Sequence, residues 1–307
     1  MISVIMAVYN ETSEELRKAI KSICSQTYID FEYIIILDNP NNVRLKKIIN
    51  YYSNKDKRIR VILNEKNIGL AASLNRGIEL SRGEYIARMD ADDISSKNRL
   101  MIQKKYLDDN PDVSVVSGNM VMIDENGNII KQNYKLDAIN RHIEKTMKLY
   151  NVIVHPCVMF RSKDIKEVEG YREIPAIEDY DLWIRMLLIG KKIRIIDKVL
   201  LKYRIRNNSI TNKNTYLQRT LFKTISKSFS KSERFDIGFL NSYINSITEN
   251  HINNYEKSVQ YYIYAWELLH KKRIFLSIYM FIKSIKYDKE VINILIETLK
   301  FYLLLKL

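Results

Sequence analysis

Residues 83–93 are GEYIARMDADD, and this stretch decides the fold. A short β-prone run ends directly in three carboxylates, Asp90, Asp92 and Asp93. Like charges this close repel one another, and an ionised carboxylate is costly to bury unless a positive group or a metal ion compensates it. The stretch therefore predicts a buried strand that ends in an acidic cluster, and the cluster requires a positive partner.

The residues before this stretch alternate between two patterns. Three apolar runs predict strands: ISVIMAVY (2–9), FEYIIILD (31–38) and RIRVILN (58–64). Three stretches with apolar side chains at helical spacing follow them in turn: SEELRKAIKSICSQ (13–26), VRLKKIINYY (43–52) and GLAASLNRGIELS (69–81). Strands that are apolar on both faces and separated by helices indicate a parallel sheet covered on both sides. Ligands bind at the carboxyl ends of such strands, where Glu11, Asp38 and Asp90 fall.

The pattern becomes less regular after residue 97. Two helices and three strands are predicted there: a helix at RLMIQKKYLDD (99–109), a strand pair with a DENGN turn (113–130), a strand at PCVMFRS (156–162) and a helix at EDYDLWIRMLLIG (178–190) that Gly190 ends. From about residue 210 the chain has almost no glycine or proline and predicts successive helices. We therefore expect an α/β domain over residues 1–205 and a helical region over residues 206–307.

Composition and charge narrow the class of protein. The chain of 307 residues is 46% hydrophobic and 28% charged, which is typical of a globular protein. Its net charge is +14, and residues 201–307 hold 18 Lys and Arg against 8 Asp and Glu, a net +10. This asymmetry favours an anionic partner such as a nucleic acid, a phospholipid surface or a phosphorylated substrate, and an ordinary solvated surface is the alternative.

Cysteine content and hydropathy predict the compartment. The two cysteines, Cys24 and Cys157, are too few for a disulfide framework, which favours the reducing cytoplasm. No signal-peptide pattern follows Met1, and no run reaches the about 18–20 apolar residues that a membrane span needs.

The acidic cluster suits a hard divalent cation. Mg²⁺ and Mn²⁺ prefer carboxylate oxygens and commonly bind one or two carboxylates together with substrate phosphates. A cation carried in with a phosphorylated ligand would then be the positive partner of the cluster. The alternative is a loop that caps the next helix, with Asp93 or Ser95 as the N-cap. The cluster by itself leaves both interpretations open.

Six stretches carry a resemblance to a known family. They are ISVIMAVYNE, AIKSICSQTYIDFEYIIILD, NIGLAASLNRGIELSRGEYIARMDADD, HPCVMFRS, EDYDLWIRM and YRIRNNS. In this order, over residues 1–210, the sequence resembles family 2 glycosyltransferases of the GT-A fold, most closely those of bacterial surface polysaccharides. The last hundred residues match no motif of the family.

The resemblance implies a fold and a reaction. The fold would be GT-A, a Rossmann-like mixed and mainly parallel sheet flanked by helices, followed by the helical C-terminal region. The reaction would be metal-dependent, inverting transfer of a sugar from a nucleotide diphosphate to a hydroxyl of a growing glycan of a capsule, lipopolysaccharide or exopolysaccharide. UDP-hexose or UDP-N-acetylhexosamine is the expected donor, and the acceptor is a glycan or a lipid-linked glycan.

The resemblance also implies site residues. Asp92 would bind Mn²⁺ or Mg²⁺, and Asp179 would be the base that deprotonates the acceptor hydroxyl. Asp38 would accept a hydrogen bond from uracil, and Asp90 would lie near the ribose and the metal. The nucleotide-sugar residues would be Ala7, Val8, Tyr9, Glu11, Asp38, Asn67, Asp90, Ala91 and Arg206. The acceptor side would include His155, Glu178 and Trp183.

Several of these residues have a structural alternative. His155 and Trp183 can be core residues, although Trp183 can also stack on a sugar. Glu178 and Asp179 can be ordinary acidic residues at a helix N-terminus. Arg206 stands where the family often has a histidine. A guanidinium cannot ligate a metal, but it can neutralise the charge of a leaving diphosphate. The alternative is that Arg206 is an ordinary surface residue.

The chain also departs from the family after its second strand. Asn39 stands where a second aspartate is usual, which bears on the contacts to base and ribose.

Other functions fit the sequence less well. A sugar-nucleotide nucleotidyltransferase has a similar core but needs a basic, glycine-rich loop where this chain has acidic AVYNETSEE (7–15). A non-catalytic nucleic-acid or anion-binding protein would agree with the charge but leaves the acidic strand ends unexplained, and no nucleic-acid motif is present. We therefore expect no nucleic-acid partner.

The C-terminal region has its own expected role. VINILIETLKFYLLLKL (291–307) is apolar enough to bury one face, but Glu297 and Lys300 interrupt it. It favours reversible binding to the anionic inner face of the cytoplasmic membrane. Packing on the catalytic domain or formation of a homodimer is the alternative.

Overall fold

The computed structural model describes residues 1–132, 137–205, 215–231 and 237–306. The chain divides into two units, Met1–Glu144 with Asn151–Ser209 and Lys145–Tyr150 with Ile210–Leu307. The segment Lys145–Tyr150, which the sequence assigns to the first domain, therefore belongs with the C-terminal helices.

The first unit begins with four parallel strands. They are β1 (Ile2–Val8), β2 (Phe31–Leu37), β3 (Ile59–Leu63) and β4 (Tyr85–Arg88), in the spatial order β3-β2-β1-β4. The connecting helices are α1 (Ser13–Cys24), α2 (Val43–Lys55) and α3 (Leu70–Leu80). Helix α1 begins with a capping box, in which Thr12 Oγ1 accepts from Glu15 N–H and Glu15 Oε2 accepts from Thr12 N–H. Because the four strands are parallel, their carboxyl ends lie along one edge of the sheet.

The remaining strands make the sheet mixed. They are β5 (Ile94–Ser95), β6 (Val113–Ile123), β7 (Ile129–Gln132), β8 (Val158–Arg161) and β9 (Lys192–Arg204). From β4 onward the spatial order is β4-β8-β6-β9-β5, with β7 paired to β6. Strand β8 is antiparallel to β4 and β6, whereas β9 is parallel to β6 and antiparallel to β5. The helices of this half are α4 (Arg99–Asp109), α5 (Asp137–Arg141), α7 (Ser162–Glu167) and α8 (Glu178–Leu188), and α6 (Ile143–Met147) spans the boundary between the two units.

Strand β9 is the long element that sequence pattern does not reveal. Its buried positions alternate at first, are interrupted by three exposed residues at 197–199, and resume with two adjacent buried leucines, Leu200 and Leu201. The register with β6 shifts at the same place. Gly118 of β6 permits the close approach there, because a Cβ at this position would lie 2.6 Å from Leu200 Cδ1. A bulge of this kind removes the strict period of two on which strand prediction depends.

The second unit is helical in its described part. Its long helices are α9 (Thr215–Ser230), α10 (Ile237–Ser246), α11 (Glu249–His270), α12 (Ile274–Tyr287) and α13 (Glu290–Lys306). Helices α11 and α12 pack through small side chains: Ser258 Oγ donates to the Ser284 carbonyl at 2.9 Å, and Ser277 Oγ donates to the Ala265 carbonyl at 2.8 Å. Among the described helices, none combines the length and apolar character that a membrane crossing requires.

Candidate active site

The carboxyl ends of β2, β1 and β4 bring the acidic side chains to one edge of the sheet. Val8 pairs with Leu37, and the Val8 carbonyl accepts from Asp38 N–H at 2.8 Å. On the other side of β1, the Ile5 carbonyl accepts from Met89 N–H at 3.0 Å. Asp38 and the 90–93 cluster therefore flank the end of β1, as the parallel sheet predicts.

Arg88 is the positive partner of Asp90. Its guanidinium is 2% exposed, and its two Nη atoms contact the Asp90 carboxylate at 2.5 and 2.7 Å. The sequence predicted an incoming cation as the partner of the cluster, and Arg88 is a second positive partner that this prediction did not include. The signal was present, because residues two apart on a strand face the same side and a buried arginine must be paired.

Asp93 is the buried member of the cluster. Its Oδ1 accepts from Arg204 N–H at 2.8 Å, and its Oδ2 has no hydrogen-bond partner among the described residues. Burial, followed by the charges of Asp90 and Asp92, raises the pKa of Asp93 well above its usual range. The helix-cap alternative is wrong, because β5 follows directly and Asn98 is the N-cap residue of α4.

The cluster fits a divalent cation. One carboxylate oxygen from each of Asp90, Asp92 and Asp93 can be chosen so that all three lie within 4.8 Å of one another. The donors are hard oxygens, and the buried Asp93 Oδ2, which has no hydrogen-bond partner among the described residues, leaves lone pairs that an ion can bind. Asp92 is partly exposed beside these two and is accessible to an ion.

Asp38 organises the loop before α3. Its Oδ1 accepts from Asn64 Nδ2 at 2.7 Å and from Ile68 N–H at 2.9 Å, and its Oδ2 accepts from Gly69 N–H at 2.9 Å. Asn67 Oδ1 accepts from the same Gly69 N–H at 2.9 Å, and Gly69 has a positive φ of 85°. Three donors thus already satisfy much of the Asp38 carboxylate, and its contact with a base stays a prediction.

The end of β1 forms a second loop. Glu11 Oε2 accepts from Tyr9 N–H at 3.0 Å, and Asn39 Nδ2 donates to the Tyr9 carbonyl at 3.2 Å. Asn39, which replaces the usual aspartate, therefore holds this loop to the end of β2. Tyr9 is about half exposed, whereas Val8 and Ala91 are buried, and a contact of these two with a ligand stays a prediction.

Glu178 and Asp179 begin helix α8. Asp179 Oδ1 accepts from Tyr180 N–H at 2.6 Å, and Asp179 Oδ2 accepts from Asn151 Nδ2 at 2.9 Å. Burial raises the pKa of Asp179, while these two hydrogen bonds and the charge of Arg88 act in the opposite direction. Burial and then the charge of Asp179 raise the pKa of Glu178 to about 7. Asn151 is a site residue that the sequence gave no reason to select.

His155 and Trp183 are core residues. His155 Nε2 and the Tyr171 hydroxyl are 2.8 Å apart, and burial, followed by the charge of Arg88, lowers the pKa of His155 well below its usual value. The Trp183 indole has no exposed surface and packs against His155 and Phe160. Of the two interpretations of Trp183, the structure therefore supports core packing rather than stacking on a sugar.

Arg88 connects the two acidic groups electrostatically. Its charge acts on Asp90 and Asp93 at one side and on Glu178 and Asp179 at the other, and Asp90 also contributes to the raised pKa of Glu178. The charges of the metal-binding candidates and of the acidic pair at the start of α8 therefore influence one another. Arg206 lies outside the described residues.

Comparison with known proteins decides the family. The family model described as "Glycosyl transferase family 2" matches residues 3–168. The chain belongs to glycosyl transferase family 2. The match covers β1 to β4, the acidic cluster and β8, which are the elements that build the edge described above.

Relatives and a solved structure agree with this membership. Over 223 residues the chain is 42% identical to the uncharacterized glycosyltransferase MJ1057 of Methanocaldococcus jannaschii, covering 71% of this chain and 74% of that protein. It is 38% identical over 212 residues to the O-antigen biosynthesis glycosyltransferase WbnJ of Escherichia coli, covering 68% of this chain and 81% of the relative. S. aureus TarS 1–349 in complex with UDP-GlcNAc superposes with a TM-score of 0.60 and 19% identity, covering 78% of this chain and 69% of that one.

These comparisons confirm two predictions. The family 2 assignment is correct, and the mixed sheet with flanking helices followed by a helical C-terminal region has the fold expected of GT-A enzymes. The roles of individual site residues stay predictions.

Proposed function

We propose that this family 2 enzyme transfers a sugar from a UDP-sugar to a hydroxyl of a growing surface glycan with inversion at the anomeric carbon. The proposed donor is a UDP-hexose or a UDP-N-acetylhexosamine. The names of the O-antigen relative and of the TarS complex with UDP-GlcNAc support this choice of glycan and nucleotide. The main support is that Asp90, Asp92 and Asp93 form a cluster that fits a divalent cation, and that the charges of Arg88 and Asp90 act on Glu178, which adjoins Asp179.

Asp179 is the proposed base. The acceptor hydroxyl oxygen attacks the anomeric carbon, the bond from that carbon to the diphosphate oxygen breaks, and its electron pair leaves with UDP. The hydroxyl proton moves to the Asp179 carboxylate. Asn151 and Tyr180 N–H hold that carboxylate in one orientation, and its raised pKa strengthens it as a base near neutral pH. One displacement inverts the anomeric centre.

Asp92, with Asp90 and Asp93 beside it, is proposed to hold Mn²⁺ or Mg²⁺. When bound, the ion supplies positive charge to the leaving diphosphate. Arg88 holds the Asp90 carboxylate in place with two hydrogen bonds and keeps the metal-binding side chains ordered. Arg206 is proposed to add positive charge near the diphosphate.

The acceptor and compartment follow from the same proposal. A glycan, or a glycan on a lipid carrier, supplies the acceptor hydroxyl, and the enzyme works in the cytoplasm at the inner face of the membrane. Residues 1–205 carry the donor site and catalysis, and residues 206–307 contact the acceptor, the membrane or a second subunit. Glu178 is proposed to shape the acceptor side, whereas His155 supports the site from the core through its contact with Tyr171.

A nucleotide-sugar panel tests the function. The enzyme is incubated with UDP-glucose, UDP-galactose, UDP-GlcNAc, UDP-GalNAc and GDP-mannose, with Mn²⁺ or excess EDTA, and released UDP or GDP is quantified. We expect release of UDP from at least one donor, dependent on the metal. Release of GDP alone would refute the UDP assignment, full activity in excess EDTA would refute the metal role, and release of pyrophosphate from UTP and a sugar phosphate would identify a nucleotidyltransferase.

A further inference from the structure

Helix α12 presents an apolar face outward. Phe275, Ile278, Tyr279 and Ile282 follow the i, i+3, i+4, i+7 spacing of one helix face, and all four are more than half exposed, Phe275 at 91%. The opposite face is buried and holds Ser277 and Ser284, which pack on α11. An ordinary surface helix has the reverse arrangement, with apolar side chains buried and polar ones outward.

The charges of α12 and of the turn before it have one sign. From residue 268 to residue 287 the chain has no Asp or Glu but contains Lys271, Lys272, Arg273, Lys283 and Lys286. Lys286 lies four residues after Ile282 on α12 and is exposed, and Lys271, Lys272 and Arg273 are exposed in the turn between α11 and α12, so basic side chains lie at both ends of the apolar stripe. The surface is therefore apolar along its centre and positive at its ends.

The neighbouring helix α13, unlike α12, carries acidic side chains. Glu290 and Glu297 of α13 accept from Arg219, and Glu290 also accepts from Lys223, so these two acids are used inside the helical unit. The positive charge at the ends of the α12 stripe is not balanced by an acid on the same helix.

We propose that the outward face of α12 lies in the interface of an anionic phospholipid bilayer. Phe275, Ile278 and Ile282 would enter the boundary between headgroups and acyl chains, Tyr279 would sit at headgroup level, and Lys271 and Lys286 would contact lipid phosphates. The 14-residue helix is about 21 Å long, too short to cross the hydrocarbon core of about 30 Å, so it lies in the plane of the interface.

Charge favours lipid over a second copy of the chain. Two copies paired through this stripe about a two-fold axis would share one patch whose charged residues are all basic, and those lysines would repel one another. An anionic bilayer supplies both the apolar phase and the negative charge that the stripe lacks. The proposal does not depend on the reaction that the enzyme catalyses.

Vesicle sedimentation of the full chain, without nucleotide sugar, tests the proposal. Vesicles of phosphatidylcholine alone and of phosphatidylcholine with phosphatidylglycerol are compared at low and high salt. We expect binding to require phosphatidylglycerol and to weaken as salt rises. Ile282→Glu should lower the partition coefficient about tenfold or more, and Lys271→Gln with Lys286→Gln should lower it about 25-fold, since each lysine contributes about fivefold.

Ile263→Glu on α11 is the matched control. Ile263 is 53% exposed and Ile282 60%, so both variants introduce the same charge at a similar exposure, and circular dichroism verifies their folding. Ile263→Glu should change binding by less than about twofold, because it lies outside the stripe. The proposal is overturned by absence of binding to anionic vesicles at low salt, by equal binding to neutral vesicles, or by Ile282→Glu binding as well as wild type. A lipid-free dimer that Ile282→Glu dissociates, measured by light scattering, would also overturn it and assign the face to a second copy.

Discussion

Replacing Arg88 with methionine should destabilise the first unit by about 2–3 kcal/mol. Removing one partner of a buried ion pair costs about 3–5 kcal/mol, because the other charge is left without compensation. We expect a loss of about 2–3 kcal/mol, below this general range, because the Asp90 side chain is 30% exposed and regains some water when its partner is removed. The Arg88 side chain itself is 2% exposed. Methionine retains much of the arginine's apolar volume, so the loss reports mainly on charge. For a chain of this size the melting temperature should fall by roughly 4–6 °C.

The assay is urea unfolding in excess EDTA, followed by tryptophan fluorescence. The chain has two tryptophans, Trp183 and Trp266, so a Trp266→Phe background leaves Trp183, buried in the same unit as Arg88, as the only reporter. EDTA prevents a bound ion from taking over the role of the guanidinium. Lys105→Met is the control, since Lys105 pairs with Asp109 on the surface, and its removal should leave the urea midpoint nearly unchanged.

A double-mutant cycle tests the pairing itself. Asp90→Asn alone leaves the buried arginine unpaired and should also destabilise the protein, whereas Arg88→Met with Asp90→Asn should recover about 1–3 kcal/mol relative to the sum of the single losses. A loss below about 1 kcal/mol for Arg88→Met, or strict additivity in the cycle, would refute the conclusion that Arg88 is the positive partner of Asp90.

Three further predictions concern the proposed reaction and its pH dependence. Asp92→Asn should abolish metal-stimulated UDP release while leaving the circular dichroism spectrum unchanged; retained stimulation by Mn²⁺ would contradict its role as a ligand. Asp179→Asn should bind UDP as the wild type does, measured by calorimetry, but should lower the rate of sugar transfer by about 10²–10⁴-fold. Transfer at the wild-type rate would mean that Asp179 is not the base and that Glu178 is the next candidate. Because the pKa of Glu178 is raised from 4.5 to about 7, the folded state retains a proton that the unfolded state loses between these values. Its contribution to stability should therefore be complete below pH 4.5 and disappear as pH rises to about 7, and Glu178→Gln should flatten this dependence in urea melts; an unchanged slope would count against a buried carboxyl.

The local pattern of the sequence was sufficient for the first half of the fold. Strands β1 to β4 are continuous apolar runs separated by helices with apolar faces, and this periodicity predicts a parallel sheet without knowledge of any distant contact. The same rule places Asp38 and Asp90 at one edge, because parallel strands end on the same side. Strand β9 could not be found in this way, because the exposed residues at 197–199 and the register shift interrupt its pattern.

The same distinction between local pattern and distant contact applies to the site residues. The sequence by itself determined which carboxylates are available, since an acidic cluster after a buried strand and an acidic pair at the start of a helix are visible as local patterns. Only the tertiary structure decided how they are compensated: Arg204 N–H reaches Asp93 across 111 positions, and Asn151 reaches Asp179 across 28. It also decided that Trp183 is enclosed in the core and that the outward face of α12 is the apolar one. The physical reason is that hydrogen-bond partners and burial depend on groups far apart in the chain, whereas periodicity depends only on neighbours.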